Sequence, residues 1–98
     1  MILELATIDI KPGTNPDFEM NLKKAQLVIS QSKGFISLQA HKCIEQNNRY
    51  SLLIRWQTLE DHIIGFRESE LFKEWRALIG PFFATPPFVQ HYELSFEI

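Results

Sequence analysis

Residues 35–57, with the sequence FISLQAHKCIEQNNRYSLLIRWQ, set the architecture, because they contain two strand-like runs joined by a short connection. The runs at 35–44 and 49–57 are rich in β-branched, aromatic and aliphatic side chains, a composition typical of strands. The four residues between them, EQNN at 45–48, end in two asparagines, which tolerate the positive φ that tight hairpins require. The stretch therefore predicts a β-hairpin in the middle of the chain.

The segment before this hairpin predicts one strand followed by one helix. Residues 2–10, ILELATIDI, have the composition of a strand and end at the turn signal KPG. The pair Asn15-Pro16 is typical of a helix start, since asparagine caps free N–H groups and proline at the first helical position loses no needed donor. Gly34 is expected to end this helix. Its predicted apolar face contains Phe18, Leu22, Ala25 and Ile29.

The segment after the hairpin predicts a split helix and a final strand. Thr58 is expected to cap the helix, which breaks between Gly65 and Ser69. Ser69 then caps a second helical segment, and Gly80-Pro81 stops it. Residues 88–97 follow as the last strand. One side of the second segment is predicted to carry Phe72, Trp75 and Ile79.

The order β-α-β-β-α-β predicts an α+β fold of the ferredoxin-like kind, with a four-stranded antiparallel sheet and both helices on one face. Residues 1–98 are expected to form one domain. The other face of such a sheet normally meets water, yet both faces of the predicted strands are apolar. In the last strand, for example, Phe88, Tyr92, Leu94 and Phe96 oppose Val89. A homodimer packed sheet to sheet is the simplest expectation.

Composition and charge exclude several classes of protein. Of the 98 residues, 45% are hydrophobic and eight are phenylalanine, which excludes a disordered chain. The formal net charge of −2 and the lack of a basic stripe argue against nucleic-acid binding. No uninterrupted apolar run is long enough for a membrane helix, and the first residues lack the basic region of a signal peptide. A cytoplasmic protein that binds neither nucleic acid nor membrane is expected.

Few residues carry recognisable chemistry by themselves. His41, His62 and His91 lie on different predicted elements without metal-ligand spacing, so no metal site is expected. Cys43, the single cysteine, has no neighbour that would activate it, and the four glycines form no phosphate-binding loop. His91 shares a strand face with Glu93, which suggests that the two side chains pair.

One predicted cluster combines polar and aromatic side chains. In the hairpin registers considered, Gln39, His41 and Cys43 share a face with alternate residues of the next strand. These alternate residues are Leu52, Ile54 and Trp56. Such a face fits a pocket for an aromatic ligand, and it equally fits a dimer interface.

The chain resembles the antibiotic biosynthesis monooxygenase family over nearly its whole length. The resemblance rests on a strand that ends in Trp56, a capped helix with an acidic segment leading to His62, and a Ser-x-x-Phe motif at 69–72. Further matching features are the KPG turn at 11–13, the Gly34-Phe35 entry to the second strand and the His91-Tyr92-Glu93 sequence of the last strand.

This resemblance implies a homodimer whose two sheets form an α+β barrel, with a pocket between the sheet and the helices of each protomer. It also implies a monooxygenase that needs no cofactor and acts on an aromatic, polyketide or quinol-like small molecule. An electron-rich phenolate can reduce O₂ itself, so the protein has only to deprotonate the substrate, hold it and exclude water.

The resemblance matches one site residue, Trp56, to the strand-end tryptophan of the family, and the other expected site residues are chosen from their own chemistry and position. His62 is the expected proton acceptor, and Trp56 is expected to pack over a flat substrate. Arg55 or Arg76 is expected to stabilise an oxyanion, and both are predicted substrate contacts. The remaining predicted substrate contacts are Phe66, Trp75 and His41.

The sequence departs from the family pattern at two positions, since Gly65 and Glu70 stand where many relatives carry histidine. The alternative is therefore a non-catalytic dimer of the same fold that binds a small molecule or serves a stress response. An isomerase of a small phosphorylated sugar is a weaker alternative, for which Arg67 would join the two site arginines in holding the anion. Haem degradation is not expected, because residues aligned with the haem-degrading branch are Ala6, Phe66 and Arg76 rather than Asn, Trp and His.

Overall fold

A computed structural model describes all 98 residues and shows the predicted order of elements. Strands β1 (Ile2–Asp9), β2 (Phe35–Lys42), β3 (Arg49–Trp56) and β4 (Phe88–Tyr92) form one sheet in the order β2-β3-β1-β4, and every neighbouring pair is antiparallel. Helices α1 (Asn15–Ile29) and α2 (Glu70–Ile79) pack against each other. The α+β ferredoxin-like prediction is thereby confirmed.

The predicted break in the second helical region is confirmed, with one difference in its first part. That part, Asp61–Phe66, is a π-helix. Thr58 Oγ1 accepts a hydrogen bond from the N–H of Asp61, and Ser69 Oγ accepts one from the N–H of Phe72 at the start of α2. Each hydroxyl satisfies an N–H group near the start of its own helical segment, and Ser69, which lies between Phe66 and Glu70, separates the π-helix from α2.

Three local predictions need correction. The last strand ends at Tyr92 and not at residue 97, since β1 pairs with it only as far as Leu3. Thr14, not Asn15, occupies the position before α1, and the Asn15 amide instead donates to the Asn47 carbonyl and the Tyr50 hydroxyl. The first helix ends at Ile29, well before Gly34.

Gly34 has a separate role in the turn that enters β2. Its φ is +85°, a conformation that favours glycine, and a Cβ at this position would collide with the Asp61 carboxylate. The approach of this turn to the π-helix therefore requires a residue without a side chain.

The core lies between the helices and one face of the sheet, called here the inner face. Glu4, Ala6 and Ile8 of β1 point to this face, and the register of β1 with β4 places His91 opposite Glu4. On the outer face the side chains of Phe88 and Tyr92 are 63% and 45% exposed. The core itself contains Ala6, Ile8, Ile10, Phe18, Leu22, Ala25, Ile29, Tyr50, Leu52, Ile54, Trp56, Phe66, Trp75 and Ile79.

The hairpin register overturns the predicted cluster around His41. Gln39 pairs with Leu53 and His41 with Ser51, after a register shift between Phe35 and Ser37. Directly paired residues lie on the same face, so His41 is on the outer face, away from the buried residues of β3. A register offset of one residue moves every side chain of a strand to the other face, which is why the prediction failed here.

No helix of the structure is both long enough and apolar enough to cross a membrane.

Candidate functional site

A cavity of about 300 Å³ lies between the inner face of the sheet and the helices. Most of its wall is hydrophobic, and only four lining residues are charged or titratable. Glu4 and His62 are buried, whereas Arg67 and Arg76 are exposed, so the arginines lie where the cavity meets solvent. The hydrophobic wall includes Ile8, Leu52, Ile54, Phe66, Phe72, Trp75, Ile79 and Phe83.

Glu4 is a carboxyl group inside the protein, only 6% exposed, on a strand whose other inward residues are apolar. Its Oε1 atom accepts a hydrogen bond of 2.9 Å from the indole Nε1 of Trp56. Burial raises the pKa of Glu4 from 4.5 to about 7, against the opposing effects of the Trp56 hydrogen bond and the positive charge of Arg67. A carboxyl group with this pKa exchanges its proton near neutral pH, unlike an exposed glutamate.

His62, from the π-helix, is the second buried titratable group. Its Nδ1 atom lies 2.7 Å from Nε2 of His91 in a hydrogen bond, and its Nε2 atom lies 3.3 Å from Glu4 Oε1. Burial lowers the pKa of His62 from 6.5 to about 3, and the positive charges of Arg67 and His91 act in the same direction. The ring is therefore neutral near pH 7, so its contact with Glu4 is not an ion pair.

Aromatic packing fixes the orientation of the His62 ring. The ring stacks on Trp56 with a centroid separation of 5.2 Å and an angle of 23° between the planes. Phe66 packs on Trp56 from the same π-helix, and Trp75 of α2 meets the edge of Phe66. These contacts hold both ring nitrogens of His62 towards their polar partners.

His91 connects this cluster with the surface. It lies on β4, an edge strand, and is partly exposed. Burial, followed by the positive charge of Arg67, lowers the pKa of His91. Glu93, its expected partner, lies beyond the end of the strand and is exposed. The hydrogen-bond partner of His91 is His62 instead.

Arg67 and Arg76 bring positive charge to the cavity without an ion-pair partner. Neither guanidinium has a carboxylate within 4.0 Å, whereas Arg49 and Lys73 do. The guanidinium of Arg76 lies over the rings of Phe72 and Phe83, 5.9 and 5.6 Å from their centroids. The mouth of the cavity therefore favours a ligand that carries negative charge or a polarised oxygen.

The structure brings together some of the sequence-predicted site residues and separates others. His62, Phe66, Trp75 and Arg76 line the cavity. Trp56 does not line it but lies behind His62, fully buried.

Two predicted substrate contacts lie elsewhere. Arg55 pairs with Leu3 on the outer face and lines a separate groove there, and His41 is exposed on the same side of the sheet. No group of three His, Cys, Asp or Glu side chains is placed to hold a metal ion.

Sequence reasoning missed Glu4 and His91 as members of the site. Glu4 interrupts an alternating apolar set in β1, and a carboxylate at an inward position of a strand is a signal of a buried polar site. His91 carries no comparable signal, because its partner His62 is 29 residues away on another element.

The family model described as "Antibiotic biosynthesis monooxygenase" matches residues 1–78 of this chain. The uncharacterized protein YczJ of Bacillus subtilis (strain 168) is 41% identical over 93 residues, which covers 95% of this chain and 98% of YczJ.

Solved structures with the same fold are also found. A candidate antibiotic biosynthesis monooxygenase from Bordetella bronchiseptica is 37% identical with a TM-score of 0.94, and the match covers 97% of each chain. A mutant of SnoaB from Streptomyces nogalater, a cofactor-independent oxygenase, is 8% identical with a TM-score of 0.81 over 99% of this chain and 95% of its own. At that identity, SnoaB shows a shared fold.

Proposed function

The chain belongs to the antibiotic biosynthesis monooxygenase family, and we propose that it is an oxidoreductase that oxidises an aromatic, polyketide-type or quinol-like small molecule with O₂ and without a cofactor. The observation that carries this proposal is the cluster of the buried Glu4 and His62 with the partly exposed His91, beside a cavity whose remaining wall is apolar except for Arg67 and Arg76. A cavity of about 300 Å³ is at the small end of ligand pockets, which span roughly 300–1,000 Å³.

The chemistry needs only what this cavity contains together with O₂. For an anthrone-type substrate, loss of a proton from the CH₂ group gives an electron-rich anion, which transfers electrons to O₂. The CH₂ group becomes C=O, and the second oxygen atom leaves as water. The protein has to accept and return protons, stabilise the anion and keep bulk water out.

Each of these tasks has a group in the cavity or next to it. The Glu4–His62–His91 cluster handles protons, and His62 is the member predicted from the sequence. The unpaired Arg67 and Arg76 supply positive charge for the substrate anion. Phe66 and Trp75 form part of the apolar wall.

The test is O₂ uptake by the purified protein, treated with a chelator, against a panel of anthrones and hydroquinones. We expect at least one substrate to consume O₂ faster than the protein-free blank, and His62→Gln to lower that rate by roughly 10²–10⁴-fold. His41→Gln is the matched variant, and its outer-face position predicts an unchanged rate.

Two outcomes would contradict the proposal. A rate that His62→Gln leaves untouched removes the cluster from the reaction. Saturable ligand binding to the cavity without any O₂ uptake supports the alternative of a non-catalytic binding protein.

We also propose that two copies of the chain pair through their outer sheet faces in the cytoplasm. Phe88 and Tyr92 leave large apolar surfaces on this face, and Leu94 and Phe96 extend it beyond β4 with more than 70% of each side chain exposed. Exposed apolar patches of this kind mark interaction surfaces.

Light scattering after gel filtration tests the dimer. The expected mass is twice 11.5 kDa for the wild type and 11.5 kDa for Phe88→Glu, since a charge buried in an apolar interface costs several kcal/mol. Phe88→Leu, which keeps the apolar surface, is the control and stays dimeric. A wild-type monomer at micromolar concentration would contradict the proposed pairing.

A further inference from the structure

Glu4 has a side-chain oxygen that is free to meet a molecule in the cavity, whereas both ring nitrogens of His62 already have partners within the protein. Both residues line the cavity. Each ring nitrogen of His62, however, already faces a protein partner, Nδ1 the ring of His91 and Nε2 the carboxyl group of Glu4. The ring cannot take a proton from a cavity molecule without leaving one of these partners. The Glu4 carboxyl group has only Oε1 engaged, by Trp56 and His62, so Oε2 is the free acceptor.

The contacts form a continuous chain from the cavity to the surface. It runs from Glu4 Oε1 to His62 Nε2 over 3.3 Å, then from His62 Nδ1 to His91 Nε2 over 2.7 Å. His91 is partly exposed, so its Nδ1 atom ends the chain on the solvent side. The first distance, 3.3 Å, exceeds that of a well-formed hydrogen bond. Catalytic hydrogen bonds are often long in unliganded proteins.

Counting the hydrogen atoms shows that this series of hydrogen-bonding groups has two complementary protonation states. With Glu4 ionised, His62 Nε2–H points to the carboxylate, and His91 Nε2–H donates to His62 Nδ1. With Glu4 protonated, its O–H points to His62 Nε2, and His62 Nδ1–H donates to His91 Nε2. One proton moves in each of the two contacts, and one enters or leaves at His91 Nδ1.

We propose that Glu4 is the group that exchanges a proton with a molecule in the cavity, and that His62 and His91 connect Glu4 with solvent through a pair of neutral imidazoles. The proposal deepens the proposed function and rests on it for the identity of the cavity molecule. Glu4 thereby becomes the catalytic acid and base, and His62 and His91 become positioning and relay residues.

The surrounding charges suit such a relay. The groups that face Glu4 are Trp56 from β3, His62 from the π-helix, His91 from β4, and Arg67 after the π-helix. Arg76 of α2 lines the same cavity. Burial and Arg67 lower the pKa of both histidines, so neither ring becomes an imidazolium near pH 7, and the only change of charge is at Glu4.

The two states explain how the cavity can stay dry during a reaction. A proton supplied by a bound molecule goes to Glu4 Oε2, and release starts from the protonated state. The Glu4 proton passes to His62 Nε2, the His62 Nδ1 proton passes to His91 Nε2, and the His91 Nδ1 proton enters solvent, which restores the ionised state. The reverse sequence delivers a proton from solvent to the cavity. No water has to enter the apolar chamber in either direction.

The test uses the substrate-free protein, labelled with ¹⁵N in histidine. The ¹⁵N shifts of His62 report its tautomer, and the infrared C=O stretch of a protonated carboxyl group reports Glu4. We expect the His62 proton to change from Nδ1 below about pH 7 to Nε2 above it, with the ring neutral throughout. The carboxyl signal is expected to disappear with the same midpoint.

Three variants make the test specific. Glu4→Gln, which keeps the size and an acceptor for Trp56, is expected to abolish both the carboxyl signal and the tautomer change. Glu45→Gln, at an exposed carboxylate, leaves both unchanged. His91→Phe is expected to slow the exchange of the Glu4 proton after rapid mixing with D₂O, because the solvent end of the relay is lost.

The proposal is overturned if Glu4 is ionised at every pH of the titration. It is also overturned if His62 becomes cationic as the carboxyl signal disappears, or if the tautomer change persists in Glu4→Gln. These readouts need no substrate. A tautomer change without O₂ uptake therefore overturns the proposed function alone, and O₂ uptake without a tautomer change overturns the relay alone.

Discussion

The two faces of the sheet are built from the same strands but differ in which side chains they carry and in how far those side chains are covered. On the inner face, Glu4 and His91 lie among side chains that the helices cover. On the outer face, Leu3 and Tyr92 pair at the adjacent position of the same two strands; Leu3 is partly buried and Tyr92 is 45% exposed. A carboxyl group and an imidazole thus lie within the apolar covered face, and large exposed apolar side chains lie on the open face beside polar ones such as Arg55, in part the reverse of an ordinary half-buried sheet.

This arrangement separates two requirements of the proposed function. A carboxyl group acquires a pKa near 7 only where burial disfavours its charged form, so Glu4 needs the covered face. Exposed aromatic side chains such as Phe88 contribute to association only where a partner can reach them, so they need the open face.

Replacing leucine by alanine at two neighbouring positions of β3 gives the largest expected difference in stability between the two faces. Leu52 is fully buried on the inner face, whereas Leu53 is partly exposed on the outer face. We expect Leu52→Ala to lower the free energy of unfolding by about 2–5 kcal/mol, because it leaves a cavity, and Leu53→Ala by about 1 kcal/mol. Urea denaturation measures both. Equal losses would contradict the distinction between the faces.

The pH dependence of stability gives a contrast within the inner face. The raised pKa of Glu4 contributes stability that is present below pH 4.5 and lost as the pH rises through about 7, a change of about 3 kcal/mol. The lowered pKa of His62 contributes stability that is present above pH 6.5 and lost as the pH falls through about 3. The two effects oppose each other in the wild type.

Single variants should therefore reveal slopes of opposite sign. In His62→Gln, the free energy of unfolding is expected to decrease between pH 4.5 and 7, and in Glu4→Gln it is expected to increase between pH 3 and 6.5. Urea denaturation at a series of pH values measures the slopes relative to the wild type. Parallel curves for the two variants would show that one of the two pKa shifts is absent.

Replacing one arginine beside the cavity and one on the outer face gives the smallest expected difference, which is a difference in the pKa values of Glu4 and His62. Arg67→Met removes a positive charge that lowers the pKa of Glu4 and of His62, so both pKa values are expected to rise. Arg55→Met removes a charge on the outer face and is expected to leave both unchanged. The infrared and ¹⁵N titrations measure the difference. An equal effect of both variants would indicate a general change in protein charge instead of a local one.

The fold was accessible from the sequence because its signals are local. Phe18, Leu22, Ala25 and Ile29 repeat at helical spacing, and all four are buried on one face of α1. Ser69 was recognisable as a cap because its hydroxyl bonds a backbone group only three residues away. Interactions over such short distances leave a pattern in adjacent residues.

Only part of the candidate site could be predicted from the sequence. His62 and Trp75 were predicted from their context in the helical region, and both line the cavity. Arg55 and His41 were placed in the same pocket, yet strand register turns them to the outer face. Register depends on how two strands meet, and a shift of one residue reverses the outcome.

The sequence by itself determined the order of the elements, the caps and the abundance of apolar side chains for two sheet faces, because periodicity and capping act between near neighbours. Only the tertiary structure decided which polar groups meet. Glu4, His62 and His91 come from β1, the π-helix and β4, and antiparallel pairing with helix packing brings them within hydrogen-bonding reach. Their burial then shifts the pKa values that give the cavity its chemistry, and burial is a property of the folded chain.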